Sequence, residues 1–192
     1  MEYSALTRED LPELVRLYKQ YLNGGDFIEQ EAVRAFDSGI YFGVKAEENG
    51  QIAGLLGFRE ELELTYPHPA LEEELLGVLG AHRFCSVDCL LVLPEYRGHG
   101  LSHGLALRGR QELLDRGIEL VQAEIWIYPD GQSPAREPLE TLGEVFWQRR
   151  EDRFYPKLKE YGMTCPLCGE DCRCGAWIDV MDVRMKGDQH HV

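Results

Sequence analysis

At 192 residues, with 44% apolar and 28% charged side chains, the chain has the size and composition of one domain around a single hydrophobic core, and residues 1–192 are expected to form one. Twenty Lys and Arg against 34 Asp and Glu leave a formal charge of −14, which opposes attraction to nucleic acid or anionic lipid and suits a cationic partner. No run approaches the roughly eighteen apolar residues of a membrane span, and the N-terminal MEYSALTRED lacks the basic-then-apolar order of a signal peptide, so a cytoplasmic location without membrane contact is expected.

Glu2 to Leu6 reads as a short strand. Thr7, followed three residues later by Asp10, is a capping-box variant that predicts a helix start. Leu11, Leu14, Val15, Tyr18, Tyr21 and Leu22 then recur at helical spacing until Asn23-Gly24-Gly25 ends them. A second helical stretch runs from Ile28 to Phe36. Strands Ile40 to Ala46 and Gln51 to Phe58 flank Asn49-Gly50, the strongest short hairpin signal. Tyr66-Pro67-His68-Pro69 breaks the pattern, and Leu71 to Leu79 reads as a short acidic helix on a surface excursion. Phe84 to Leu93 is an apolar strand, followed by a turn through Gly100, a helix from Leu101 to Arg116, and a strand from Leu120 to Tyr128. Pro129 to Pro138 reads as a loop, Leu139 to Tyr161 as a helix interrupted at Pro156, and Trp177 to Met185 as a final strand after a Cys-rich loop. Strands on both sides of a long helix imply a crossover with at least one parallel pair, hence a mixed α/β fold.

The segment Leu93-Pro94-Glu95-Tyr96-Arg97-Gly98-His99-Gly100-Leu101-Ser102 is a strand feeding a glycine turn and then a helix. Such a turn aims several backbone N–H groups at one point, where the helix dipole also favours an anion, so phosphate binding is its physical reading. The glycines permit positive φ and close approach of a ligand, and Arg97 can add a charge-assisted contact. The pattern fits neither the dinucleotide nor the Walker glycine motif.

Arg97-Gly98-His99-Gly100-Leu101-Ser102 resembles the Gln/Arg-x-x-Gly-x-Gly/Ala turn of the GNAT superfamily of acyl-CoA-dependent N-acyltransferases, with Ser102 in the last small-residue place. Leu6-Thr7-Arg8-Glu9-Asp10-Leu11, Gly50-Gln51-Ile52-Ala53-Gly54, Gly162-Met163 and Asp182-Val183-Arg184-Met185-Lys186 resemble further stretches of that family, so the likeness covers most of the chain. It implies a central mixed, mostly antiparallel sheet flanked by helices. It also implies acetyl-CoA as co-substrate, with the pyrophosphate on the turn from Arg97 through Ser102, His99 and His103 beside it, and a backbone N–H near Leu91, Val92 or Leu93 for the acetyl oxygen. The family's acid is often a Tyr four residues before a Gly-Phe that closes the last helix. Leu158 stands four before Gly162, so Tyr155, a turn earlier, is the candidate.

Transfer to an amine also needs a proton acceptor. Asp88 is the one carboxylate inside its strand, and alternation puts it on the face of Ser86 and Leu90. Glu124 lies similarly inside the next strand. Either can act through water, and either can instead anchor a loop or meet Arg83 or Arg97. Glu60, Glu61 and Glu63 are candidates for holding a cationic acceptor, or a solvated edge.

Cys165, Cys168, Cys172 and Cys174 fall within ten residues, a spacing that suits a tetrahedral zinc ion, with Gly169 and Gly175 allowing tight turns. Such a site is closed and therefore structural, stapling the loop at 164–175 between the last strands. His190 or His191 can replace one ligand, and reduced thiols without metal are the alternative. Cys85 and Cys89 read as core residues. The expectation is a monomeric or homodimeric N-acetyltransferase acting on an amine, with a noncatalytic acyl-CoA-binding or protein-interaction module as the alternative.

Overall fold

A computed structural model describes residues 1–22, 28–65, 67–155, 158–161, 163–169 and 171–185. The sequence signals at Asn23-Gly24-Gly25, Tyr66, Pro156, Gly162, Lys186, His190 and His191 lie outside the described residues. The elements are strand β1 (Glu2–Ala5), helices α1 (Leu11–Tyr21) and α2 (Ile28–Asp37), strands β2 (Tyr41–Glu48) and β3 (Gln51–Arg59), and helix α3 (Pro69–Leu79). They continue with β4 (Phe84–Val92), α4 (Leu101–Asp115), β5 (Leu120–Ile127), α5 (Arg136–Glu140), β6 (Glu144–Glu151) and β7 (Gly175–Asp182).

Local chemistry accounts for most of these boundaries. Asp10 Oδ2 accepts from the Thr7 N–H at 2.8 Å and from its hydroxyl at 2.9 Å, closing the capping box ahead of α1. Asn49 and Gly50 both take positive φ, 54° and 78°, as a two-residue hairpin turn between β2 and β3 requires. Seven strands form one sheet in the order β1-β2-β3-β4-β5-β7-β6. Only β4 and β5 run parallel, joined by the α4 crossover, and every other neighbouring pair is antiparallel. The mixed, mostly antiparallel sheet and its flanking helices match expectation.

On one face, Leu101, Leu105, Ala106 and Leu113 of α4 pack against Val44, Leu56, Phe58, Val121 and Ile125. On the other, α1 and α2 cover the β1–β4 half. The β5–β7 half is covered by α3 and the Cys-rich loop: Leu71, Leu75 and Leu79 are buried with Ile178, Val180 and three of the cysteines. Helix α3, expected as a surface excursion, is therefore a core element, because its leucines repeat every four residues along one stripe. Among the described residues no helix is long and apolar enough to cross a membrane.

The long helix expected from Leu139 to Tyr161 is absent. Helix α5 has five residues, and Gly143 then brings the chain against β7. A Cβ there would lie 2.5 Å from the carbonyl oxygen of Asp182, an approach only glycine allows. Val145-Phe146-Trp147 follows as β6, where β-branched and aromatic residues suit an edge strand on β7. Tyr155 thus lies in a non-helical segment after β6 and not in a last helix.

Candidate active site

Strands β4 and β5 pair only from Phe84↔Leu120 to Ser86↔Gln122 and then diverge. On its other edge β4 stays paired with β3 as far as Gly54↔Val92. The Leu93 N–H donates to the Ala53 carbonyl at 3.0 Å. Antiparallel alternation therefore turns the Leu91 N–H toward β3 as well, and leaves those of Leu90 and Val92 facing the gap. Of the expected acyl-oxygen donors, Leu91 and Leu93 are thus bonded to β3; Val92 is available, joined by Leu90.

A β-bulge sits opposite Gly57 and Phe58. It places Asp88 and Cys89 on the same face, toward α1, while Leu90 packs with Val87 and Val92 toward α4. The expected alternation, with Asp88 beside Leu90 and opposite Cys89, is corrected by this extra residue.

A cavity of about 1120 Å³ runs along the gap from α1 and α2 to the glycine turn. Gly98 and Gly100 have φ of 77° and 74°, and a Cβ on either would meet no neighbouring atom within 4 Å, so backbone conformation demands glycine here. Gly100 is also the N-cap residue of α4, whose first turn receives no side-chain cap. Its N–H groups are the orphan donors to which an anion binds. Arg97 donates Nε to the Val92 carbonyl at 3.0 Å, which holds the guanidinium at the end of β4. Leu91, Val92, Arg97 and Gly98 line the cavity, as do Gly100, Leu101 and Ser102. Leu93 is buried beneath α1, His99 is exposed on the turn, and His103 lies 3.9 Å from Glu137.

Two groups of carboxylates face the cavity. In the first, the Tyr18 hydroxyl donates to Asp88, and Arg59 Nε lies 3.4 Å from the same carboxylate. Arg59 is almost fully buried and also meets Glu61 at 3.1 Å and Glu31 at 3.9 Å. Its Nε lies 2.9 Å from Glu63 Oε2, yet neither buried atom makes an aligned hydrogen bond. Burial, reinforced by the negative charge of Asp88 and opposed by Arg59, pushes the Glu63 carboxyl up to about 8. Gly57 makes room for this group: a Cβ there would meet the Tyr41 hydroxyl at 2.1 Å, and that hydroxyl lies 3.9 Å from Cys89 Sγ. Glu60 turns away to Arg83 and Arg116, at 3.0 and 3.7 Å, and takes no part.

In the second group, Glu124 on β5 accepts from the Tyr155 hydroxyl at 2.5 Å and from the Thr65 N–H at 2.9 Å. Burial raises its pKa, while these two hydrogen bonds oppose the rise. Tyr155 is 2% exposed and stands behind Glu124, outside the cavity lining. Neither carboxylate meets Arg83 or Arg97. Tyr18, Tyr41, Arg59 and Glu31 were not legible as site residues, since tertiary packing alone brings four separate elements together; the tyrosine and arginine types at inward helix and strand positions were the available signal.

The four clustered cysteines also converge, with sulfur atoms all within 4.8 Å of one another. Cys165 and Gly169 exchange backbone hydrogen bonds of 3.2 and 2.9 Å, and Gly169 takes φ of 71°. Gly175 serves a different end from the expected turn: it opens β7, where a Cβ would meet the Glu151 carbonyl at 2.5 Å.

The chain matches the model of the acetyltransferase (GNAT) family over residues 5–143. No curated protein sequence matches it. Among solved structures it is similar to the ribosomal-protein-S18-alanine N-acetyltransferase of Escherichia coli, at 18% identity over 100% of this chain and 99% of that one, TM-score 0.60. NAA60 of Arabidopsis thaliana in complex with acetyl-CoA is 12% identical over 95% and 98% of the two chains, TM-score 0.63. A spermidine N-acetyltransferase chimera from Vibrio cholerae and hSSAT is 12% identical over 96% and 98%, TM-score 0.62. The family match ends at Gly143, which follows α5. Within that span α5 is the last helix, and four residues before the glycine that follows it stands Leu139, a cavity-lining residue without a hydroxyl.

Proposed function

The chain belongs to the acetyltransferase (GNAT) family, and from this premise we propose that it transfers the acetyl group of acetyl-CoA directly to an amine of a cationic acceptor. The observation that carries this reading is the single cavity that joins a glycine turn, an unpaired strand edge and two carboxylate groups.

In this reading the pyrophosphate rests on the first-turn N–H groups of α4 and on Arg97. The acyl arm extends away from the turn along β4, meeting the Val92 N–H first and the Leu90 N–H next, beside Asp88. The Leu90 N–H then stabilises the negative charge that forms on the acetyl oxygen. The acceptor enters from α1 and α2, and its charge is held by Glu31 and Asp88, while Glu63 Oε2 is a buried acceptor in want of a donor. Glu124, directly or through one water, takes the proton of the attacking amine; its raised pKa makes it a stronger proton acceptor than an ordinary carboxylate. Tyr155 and the Thr65 N–H hold Glu124 in place, so Tyr155 is a positioning residue and not the acid. The C–N bond forms, the C–S bond breaks, and CoA leaves as a thiolate. With an ordinary thiol pKa of about 8.5, that thiolate takes its proton from water without a tyrosine at the place of Leu139.

The named relatives act on substrates as different as a ribosomal protein and spermidine, so acceptor identity must come from assay. Acetyl-CoA with spermidine, an aminoglycoside or a peptide bearing a free α-amine, monitored for free thiol, should release CoA in an amine-dependent manner. Tight acetyl-CoA binding with no release in any mixture would instead indicate a binding module.

A further inference from the structure

We infer that Cys165, Cys168, Cys172 and Cys174 bind one zinc ion, and that this ion fixes the wall of the cavity formed by Met163, Thr164, Pro166 and Leu167. The sulfur positions fit the ion. A tetrahedron of thiolates about 2.3 Å from zinc has edges of roughly 3.8 Å, and Cys165–Cys174 and Cys168–Cys174 separations are 3.8 and 3.6 Å. Four soft donors with no carboxylate among them select zinc over magnesium or calcium. Cys165, Cys172 and Cys174 are buried.

The same loop reaches the site. Its residues between and before the first two cysteines, Met163, Thr164, Pro166 and Leu167, line the cavity. Behind them the cysteines share a buried cluster with Tyr155 and Leu158, and Tyr155 donates to Glu124. A filled four-thiolate site has no open position, so the ion acts by holding the loop and not on the substrate. That this wall faces the acceptor rests on the function proposed above; that it is metal-held does not.

The test is metal analysis and hydrogen exchange on the full chain, purified under reducing conditions without added metal. One zinc per chain is expected, and cobalt replacement should give the visible bands of a tetrahedral thiolate site. Removing zinc from the wild-type chain, or introducing Cys168→Ser, should speed amide exchange at residues 163–167 at least tenfold. Exchange within α4 and acetyl-CoA affinity should stay within twofold. Metal-free protein with no cobalt spectrum, iron in place of zinc, or exchange at 163–167 indifferent to the metal would each overturn the inference. None of these readouts depends on turnover, so its failure is distinguishable from failure of the acetyltransferase reading.

Discussion

At the scale of single residues, the two carboxylates separate into distinct tasks. Asp88 is tied to Tyr18 and Arg59, whereas Glu124 faces the gap with a raised pKa and a hydroxyl behind it. Glu124→Gln should therefore lower kcat/KM by about 10²–10⁴ while leaving acetyl-CoA affinity unchanged, as steady-state kinetics and calorimetry will show. Tyr155→Phe removes a hydrogen bond that holds the Glu124 pKa down. The acidic limb of the kcat/KM profile should move to higher pH, and an unshifted profile would assign Tyr155 a purely packing role. Glu63 carries a stability signature of its own. Its carboxyl is raised in the folded chain from an ordinary value of 4.5 to about 8, so the folded state holds a proton that the unfolded state releases, and the wild type loses stability as pH rises between those values. Denaturant melts should show Glu63→Gln gaining on the wild type from pH 4.5 to 8, with no further gain above. A constant difference would place the cause elsewhere.

At the scale of elements, what could be read from the sequence depended on whether the cause was local. The glycine turn was legible because positive φ and an uncapped helix start are properties of a few adjacent residues. Gly100→Ala should cost about 1 kcal/mol of stability from its left-handed φ. It should also weaken acetyl-CoA binding by tenfold or more, since misaligned amides lose hydrogen bonds to a charged group worth about 1.5–3 kcal/mol each. Retained affinity would remove the turn from the ligand site. The asymmetric β4 edge was half legible: a backbone donor was expected at its end, but the bulge opposite Gly57 and the pairing of Leu93 with Ala53 decide which amides are left over. Strand β6 was missed. Val145, Phe146 and Trp147 suit a strand, but the helical reading of Leu139 to Tyr161 ran through them and passed over the close contact at Gly143 that follows α5. The search for a terminal tyrosine was accordingly anchored at Leu158, four before Gly162, whereas the helix ahead of β6 is α5, with Leu139 four before Gly143.

At the scale of the molecule, a charge of −14 coexists with a proposed polyanionic ligand because the turn supplies N–H groups and Arg97 locally. On the α1–α2 side of the cavity, where the proposed acceptor would enter, Glu31, Glu61, Glu63 and Asp88 surround one arginine. The fold needed for this division was legible as a mixed sheet with one parallel crossover. The meeting of α1, α2, β3 and the Cys-rich loop over the β4–β5 gap was not, because it is set by long-range packing. The most direct measurement is the crystal structure of the chain bound to acetyl-CoA. The acyl arm is expected between β4 and β5, its carbonyl oxygen within hydrogen-bond distance of the Leu90 amide and its pyrophosphate on Gly98 to Ser102. An acetyl group lying anywhere outside the β4–β5 gap would contradict this placement.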